Sequence, residues 1–395
     1  MIASPGVAPS VLKRELEAAR SQSDELFDLL EPGAIYDRPV SQRHRLIFYI
    51  GHLEAFDWNV VCRGALHLPS FHPEFDKLFE AGIDPEPGKE PADTPVDWPS
   101  HNEVARYRQE IRRQFDNVIA DAPEQRVRVA LEHRLMHVET LAYLLHNLPY
   151  DRKSAVRGVT IAGQPAGDSA MIRIPAGSAS LGLDPGQFGW DNEFPRHTVN
   201  VPAFSVSKYK ITNGEYRRFV EAGAAAPHFW TKREGSWFYR GMFEMIPLPV
   251  DWPVWVTQHE AEAYAKWAGK SLMTEPQFHR SAEGAPEQDG PPGNYDFRHW
   301  DPVPVTAYPE GDSIYGASQL VGNGWEWTST PFGPFEGFQP FDYYLGYSRN
   351  FFDNAHFVMK GASPRTAACF LRRSFRNWFR ADYPYVYAGF RLVEN

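Results

Sequence analysis

Cysteine is nearly missing from this 395-residue chain, which has only Cys62 and Cys369. Two thiols so far apart make neither a disulfide framework nor a CxxC metal site. No run of about 18 apolar residues occurs, so no membrane-spanning helix is expected. Positive charge is in deficit: 40 basic residues face 50 acidic ones, for a formal net charge of −10. Such a surface gives nucleic acid or an anionic membrane little to hold, and neither is expected as a partner. Met1 to Ser10 lacks the basic-then-apolar order of a secretory leader, and a cytoplasmic location is the expectation. Internal repeats and low-complexity tracts are absent too. Aromatic side chains, by contrast, are abundant at 14% of residues with 12 Trp, and most of the Trp lie beyond residue 185. The length allows two or more domains, each with its own core.

The first 150 residues carry helical periodicity. Val11-Leu12, Leu16, Ala19, Leu26-Phe27 and Leu30 recur at helical spacing among charges. Arg43 to Leu66 reads as a second helix. A stretch rich in Pro, Gly and Asp follows from Leu68 to about Ser100; aperiodic loops of that length are often functional. Helices are expected again over residues 102–119 and 123–147. Four helices suggest an antiparallel bundle, and bundles build metal sites from side chains that point inward from facing helices.

Within the last of these helices stands Glu132-His133-Arg134-Leu135-Met136-His137-Val138-Glu139. Residues four apart share a helix face, so His133 and His137 can grip one metal ion. The apolar neighbours Leu131, Leu135, Val138 and Leu141 bury part of this helix, and histidine rarely goes inside without a partner. The pair is not the zinc-protease motif, whose glutamate base is replaced by Arg134. Glu139 lies ~200° round the helix from His137 and cannot easily share its metal. A third ligand is available in His52, within the apolar stretch Ile47-Phe48-Tyr49-Ile50-Gly51-His52-Leu53. Three neutral imidazoles without a thiolate suit iron, zinc, copper or nickel.

Beyond a linker over residues 151–170 the character changes. Met171 to Gly177 reads as a strand and turn, Val199 to Val206 as a strand, and Gln258 to Gly269 as a helix. Short segments punctuated by Gly and Pro imply a compact α+β domain with long ordered loops. Read physically, Gly322-Asn323-Gly324-Trp325-Glu326-Trp327-Thr328, Arg376-Asn377-Trp378 and Ala388-Gly389-Phe390-Arg391-Leu392 are tight turns and aromatic packing that hold a fold.

These segments carry a resemblance. Residues 171–393 resemble the formylglycine-generating-enzyme (C-type-lectin-like) fold through Asn213 to Tyr216, Ala261 to Lys270, the Gly-Asn-x-Trp-Glu-Trp run and the terminal Gly-Phe-Arg-Leu. Residues 1–150 resemble the DinB-like four-helix bundle. The order of a His on helix two and His-x-x-x-His-x-Glu on helix four is similar to the ergothioneine-type sulfoxide synthases. The resemblance covers nearly the whole chain and implies an α+β protein with three parts: a bundle at 1–150, a linker at 151–170 and a catalytic domain at 171–395. It implies a mononuclear non-haem Fe(II) enzyme, with O2 as co-substrate, that joins a chalcogen to the imidazole of hercynine (trimethylhistidine). His52, His133 and His137 are then the ligands. Tyr347 becomes the proton-supplying catalytic tyrosine, with Tyr343 and Tyr344 as rivals, because Gly346 to Phe352 precedes Lys360-Gly361-Ala362-Ser363. Trp325, Trp327 and Trp378 are candidates to face the quaternary ammonium, and Asn377 to position a water or the carboxylate. Formylglycine generation itself is not expected, since that activity uses a pair of active-site cysteines and this domain has only Cys369.

The departures from the family concern the donor. Members that use γ-glutamylcysteine place two arginines in the loop after helix two, an acid directly after Asn-Trp and an Arg four residues further on. Here the loop from Phe79 to Lys89 has no arginine, Asn377-Trp378 is followed by Phe379, and the later position is Tyr383. Losing cations that pair with carboxylates costs ~1.5–3 kcal/mol per hydrogen bond to a charged group. The site therefore suits a neutral, sugar-like donor, a profile similar to the selenoneine synthase branch, which takes a selenosugar. γ-Glutamylcysteine and cysteine are the alternative donors. Two readings from other classes are a DinB-type thiol transferase, which needs no second domain, and a binding module with a structural metal. Structural zinc sites are normally closed by four ligands and usually include Cys, which three histidines do not match.

Overall fold

A computed structural model describes residues 8–80, 82, 90–156, 169–287 and 290–395. The chain divides into two compact units, Met1–Val156 and Arg157–Asn395. In the first, the helices are α1 (Pro9–Asp28), α2 (Leu46–Asp57), α3 (Pro73–Leu78), α4 (His101–Val118) and α5 (Glu124–Asn147). α1 buries Leu12, Leu16, Ala19 and Leu26, and α4 buries Val104, Tyr107, Ile111 and Phe115. Each set is one stripe at helical spacing, and burying such a leucine or phenylalanine contributes about 1.5–3 kcal/mol. α4 starts at a capping box in which Ser100 and Glu103 satisfy each other's backbone N–H groups. α2 differs, because nearly every residue in it is buried. It is the central helix, packed against both α4 and α5.

Two expectations about these helices change. The helix read over Arg43 to Leu66 begins at Leu46, because Arg45 stays extended to reach Asp93 and the Tyr36 carbonyl. It ends at Asp57 in a π-helical stretch, Trp58–Arg63, a feature frequent near functional sites. The segment read as aperiodic holds α3, started by Pro73 and capped by the His72 ring. Six residues are too few for a period to show.

Residues 151–156 belong with the first unit. Lys153 pairs with Leu30 in a β-bridge, and its ammonium donates to the Leu145, His146 and Leu148 carbonyls at the end of α5. Residues 157–168 of the expected linker lie outside the described residues.

The second unit carries, in order, β1 (Met171–Ile174), β2 (Gly177–Leu181), β3 (His197–Val201), β4 (Phe204–Ser207), α6 (Asn213–Glu221), β5 (Trp230–Arg233), β6 (Ser236–Arg240), β7 (Met245–Pro247), α7 (Gln258–Trp267), β8 (Ser271–Leu272), α8 (Glu275–Ser281), β9 (Gly324–Pro331), β10 (His356–Ala362), β11 (Asn377–Arg380), β12 (Ala388–Gly389) and β13 (Leu392–Glu394). One sheet has the order β1-β4-β13-β8 and another β11-β10-β9-β12. The single strand read over Val199 to Val206 is two strands in different sheets, since Pro202 cannot donate to a ladder. Among the described residues, short strands and long ordered loops give the expected α+β class.

The motifs of this unit mostly hold it together. Glu326 on β9 is fully buried and pairs with Arg391 at 2.8 Å and Lys210 at 3.3 Å, which links Trp-Glu-Trp to the terminal Gly-Phe-Arg-Leu. Gly324 has φ +132°, and a Cβ there would come within 2.8 Å of Trp255 Nε1, so only glycine fits. Asn323 ties the Val303 backbone through both its amide groups. Tyr216 of α6 stacks on Tyr264 of α7 at 5.3 Å.

Candidate metal centre

α2 and α5 face each other with His52 on one and His133 and His137 on the other. All three are buried, and their ligand atoms lie within 4.8 Å of one another. His137 Nε2 lies 3.1 Å from His52 Nε2 and 3.1 Å from His133 Nε2. A metal about 2.1 Å from each imidazole nitrogen would hold right-angled neighbours about 3.0 Å apart, so both spacings fit one ion. His52 Nδ1 sits 2.7 Å from the Phe79 carbonyl oxygen. Only an N–H can make that contact, so the His52 proton is on Nδ1 and the lone pair is on Nε2, aimed at the other two rings.

The surroundings keep the rings neutral. Burial lowers the His52 pKa to about 4, against a smaller raising effect of the Phe79 carbonyl. Burial likewise holds His133 and His137 well below the usual imidazole value, helped by neighbouring positive charge. At neutral pH protons therefore compete poorly for the three nitrogens, and metal ligation needs that state. Phe56 stacks on His133 at 3.4 Å and Phe48 on His52 at 4.8 Å, fixing the ring planes. Among the described residues the cluster contains no carboxylate, which leaves Glu139 outside it, as its helical angle requires.

The Phe79 carbonyl was not readable from the sequence, because backbone acceptors leave no trace in residue identity. A weak signal was Gly51: a Cβ there would meet the Phe79 ring at 2.5 Å. Gly51→Ala should displace that buried ring and with it the carbonyl that orients His52. The expected outcome is a folded chain whose Fe(II) affinity falls about tenfold to a hundredfold, read by anaerobic titration. Unchanged affinity would remove Phe79 from the account.

In the second unit, Tyr347 is 8% exposed. It stacks on Trp190 at 3.9 Å and meets Trp378 edge-on at 5.2 Å. Asp191, beside Trp190, accepts a hydrogen bond from Ser348, beside Tyr347. Asn192 donates to the same hydroxyl at 2.9 Å, so the tyrosine segment is pinned. Tyr344 packs on Tyr347 at 5.4 Å, while Tyr343 stacks on Phe341. Trp378 covers Phe332 at 4.2 Å. Trp325 and Trp327 are buried, and the Trp327 N–H donates to the Val256 carbonyl, so Trp378 is the most accessible of the three. Asn377 accepts from the Trp378 backbone N–H. Alternation along β11 sends Trp378 and Phe379 to opposite faces, and Phe379 stacks instead on Tyr383 at 5.3 Å. The two positions read as donor-determining are thus in contact. Of the donor loop, Ala81 and residues 83–89 lie outside the described residues.

Comparison with known proteins fits both units. Residues 15–147 match the DinB superfamily and residues 160–395 the sulfatase-modifying factor enzyme 1-like domain. A protein of Mycolicibacterium smegmatis named hercynine oxygenase is 32% identical, over 98% of this chain and 99% of its own length. The chain belongs to the ergothioneine-type sulfoxide synthase family. Another relative, ergothioneine biosynthesis protein 1 of Neurospora crassa, is 25% identical over 93% of this chain. The chain spans about half of that fungal protein, 56%. The formylglycine-generating enzyme of Bos taurus is 28% identical over 46% of this chain, a likeness limited to part of it. Among the described residues of this family member, no helix is long and apolar enough to cross a membrane.

Proposed function

We propose that this chain joins selenium to the imidazole carbon between the two ring nitrogens of hercynine, using Fe(II), O2 and a selenosugar donor. The observation that carries the reading is the buried meeting of three imidazole nitrogens with one tautomer fixed, in a chain similar over its length to a hercynine oxygenase. His52, His133 and His137 would hold the metal. Bound Fe(II) supplies O2 activation and a shared point of attachment for the substrate ring and the donor.

The protein's other groups bind and move protons. Tyr347 serves as proton donor, held by its stack on Trp190 and by the Asp191–Ser348 contact. Trp378 offers an aromatic face to the trimethylammonium group, which has no N–H to hydrogen-bond. Phe379 and Tyr383 line the donor side, where a neutral sugar needs no guanidinium. Without charged groups at these two positions, a γ-glutamyl peptide with its two carboxylates and ammonium is the weaker donor, and a thiol donor with sulfoxide formation is the alternative reading.

Tyr347→Phe tests the acid role. Product formation should fall about a hundredfold or more, with Fe(II) affinity unchanged. Full activity in Tyr347→Phe, with loss in Tyr344→Phe or Tyr343→Phe, would move the role to a neighbour.

A further inference from the structure

α2 is buried on almost every side, yet it carries Glu54 and Asp57, 1% and 0% exposed. Both face Arg134, itself 0% exposed, the residue directly after His133. Arg134 Nη2 lies 2.9 Å from Glu54 and 2.7 Å from Asp57, and it also reaches the Leu53 carbonyl at 3.3 Å. Its Nη1 reaches Glu54 at 3.2 Å and Ser23 of α1 at 3.4 Å. Arg112 of α4 holds Glu54 at 2.7 Å and Asp24 of α1 at 2.6 Å, and Arg108 joins Asp24 at 3.2 Å. The network crosses all four long helices. It contains three guanidinium groups and three carboxylates.

Buried ion pairs cost desolvation and are often replaceable by apolar side chains without loss of stability. Stability alone is therefore a poor reason for this one. Its location suggests another. It ties the helix bearing His52 to the helix bearing His133 and His137, one or two residues from two of those rings.

We infer that Arg134, Glu54 and Asp57 form a positioning lock for the three-histidine set, fixing the separation of α2 and α5 and cancelling a positive charge that would oppose a bound cation. The inference rests on the metal-centre reading of the histidines. A guanidinium fork spans two carboxylates, which an ammonium cannot do in the same geometry. Arg134→Lys therefore keeps the charge and loosens the tie. Glu54→Gln keeps the shape and leaves buried positive charge beside the site.

The test uses the metal-depleted full chain titrated with Co(II), whose visible absorption reports the geometry of its ligands. Arg134→Lys and Glu54→Gln should each weaken Co(II) binding about tenfold to a hundredfold and shift the absorption. Arg113→Gln, in an exposed ion pair on α4, should change neither. Where either lock variant does not fold by circular dichroism, Asp57→Asn replaces it under the same criteria. The apolar triple variant Glu54→Met, Asp57→Leu, Arg134→Met separates positioning from stability. It should fold yet bind Co(II) more weakly with an altered spectrum. Wild-type affinity and spectrum in the folded variants would overturn the lock and leave the metal centre standing. A wild-type chain that binds no Co(II) would defeat the metal-centre reading itself.

Discussion

Alanine at His52, His133 or His137 should remove tight Fe(II) binding and turnover together, each replacement costing a hundredfold or more in metal affinity. Supporting groups that merely orient a ligand cost about tenfold to a hundredfold when lost, and a ligand nitrogen itself should cost at least that. Among the described residues the cluster holds three nitrogens and no carboxylate, so no described side chain stands ready as a spare donor. The fold should survive. Each ring is buried and neutral, so truncation removes a polar group that was expensive to bury along with some packing. Anaerobic titration monitored beside thermal unfolding checks both halves. A His52→Ala chain that keeps both metal and activity would eliminate His52, and with it the link between α2 and the site.

A gain of function is the second large effect expected. Installing Asp at Phe379 and Arg at Tyr383 should raise kcat/KM for γ-glutamylcysteine about tenfold to a hundredfold and lower it for a selenosugar. The two side chains stack at 5.3 Å, so the new charges would stand together and could meet the amine and a carboxylate of one donor. A hydrogen bond to a charged group contributes about 1.5–3 kcal/mol, which sets the size of the gain. The single variant Tyr383→Arg guards against an internal Asp–Arg pair that satisfies itself. If none of these variants improves use of the peptide, Phe379 and Tyr383 do not set the choice of donor.

Much of this was legible in the sequence because the signals were local. The period of His133 and His137 put both on one face, and aperiodic, aromatic-rich segments announced an α+β unit, although its regular elements are short rather than few. The two-residue link between Val201 and Phe204 was visible only as a proline. Other features depend on contacts distant in sequence. Nothing marks Phe79 as the residue whose carbonyl turns His52, and α3 is too short to show a period. Glu54 and Asp57 did leave a trace, since acids within so apolar a helix require a buried partner. That the partner was Arg134 became evident only once α2 and α5 were side by side. The aromatic candidates show the limit most clearly. Trp325 and Trp327 share a motif with the fold's own core, and residue type alone cannot separate a wall of a binding site from a brace.

Carbon–chalcogen bond formation on hercynine is the proposed activity. The most direct measurement supplies the iron-loaded full chain with hercynine and O2, offers a 1-selenosugar, γ-glutamylcysteine and cysteine in parallel, and reads the products by mass. A hercynine–selenium adduct formed with the selenosugar, and little product with the thiols, is the predicted result. Product from γ-glutamylcysteine alone would contradict the donor assignment, and no O2 uptake or hercynine product with any donor would contradict the enzyme reading as a whole.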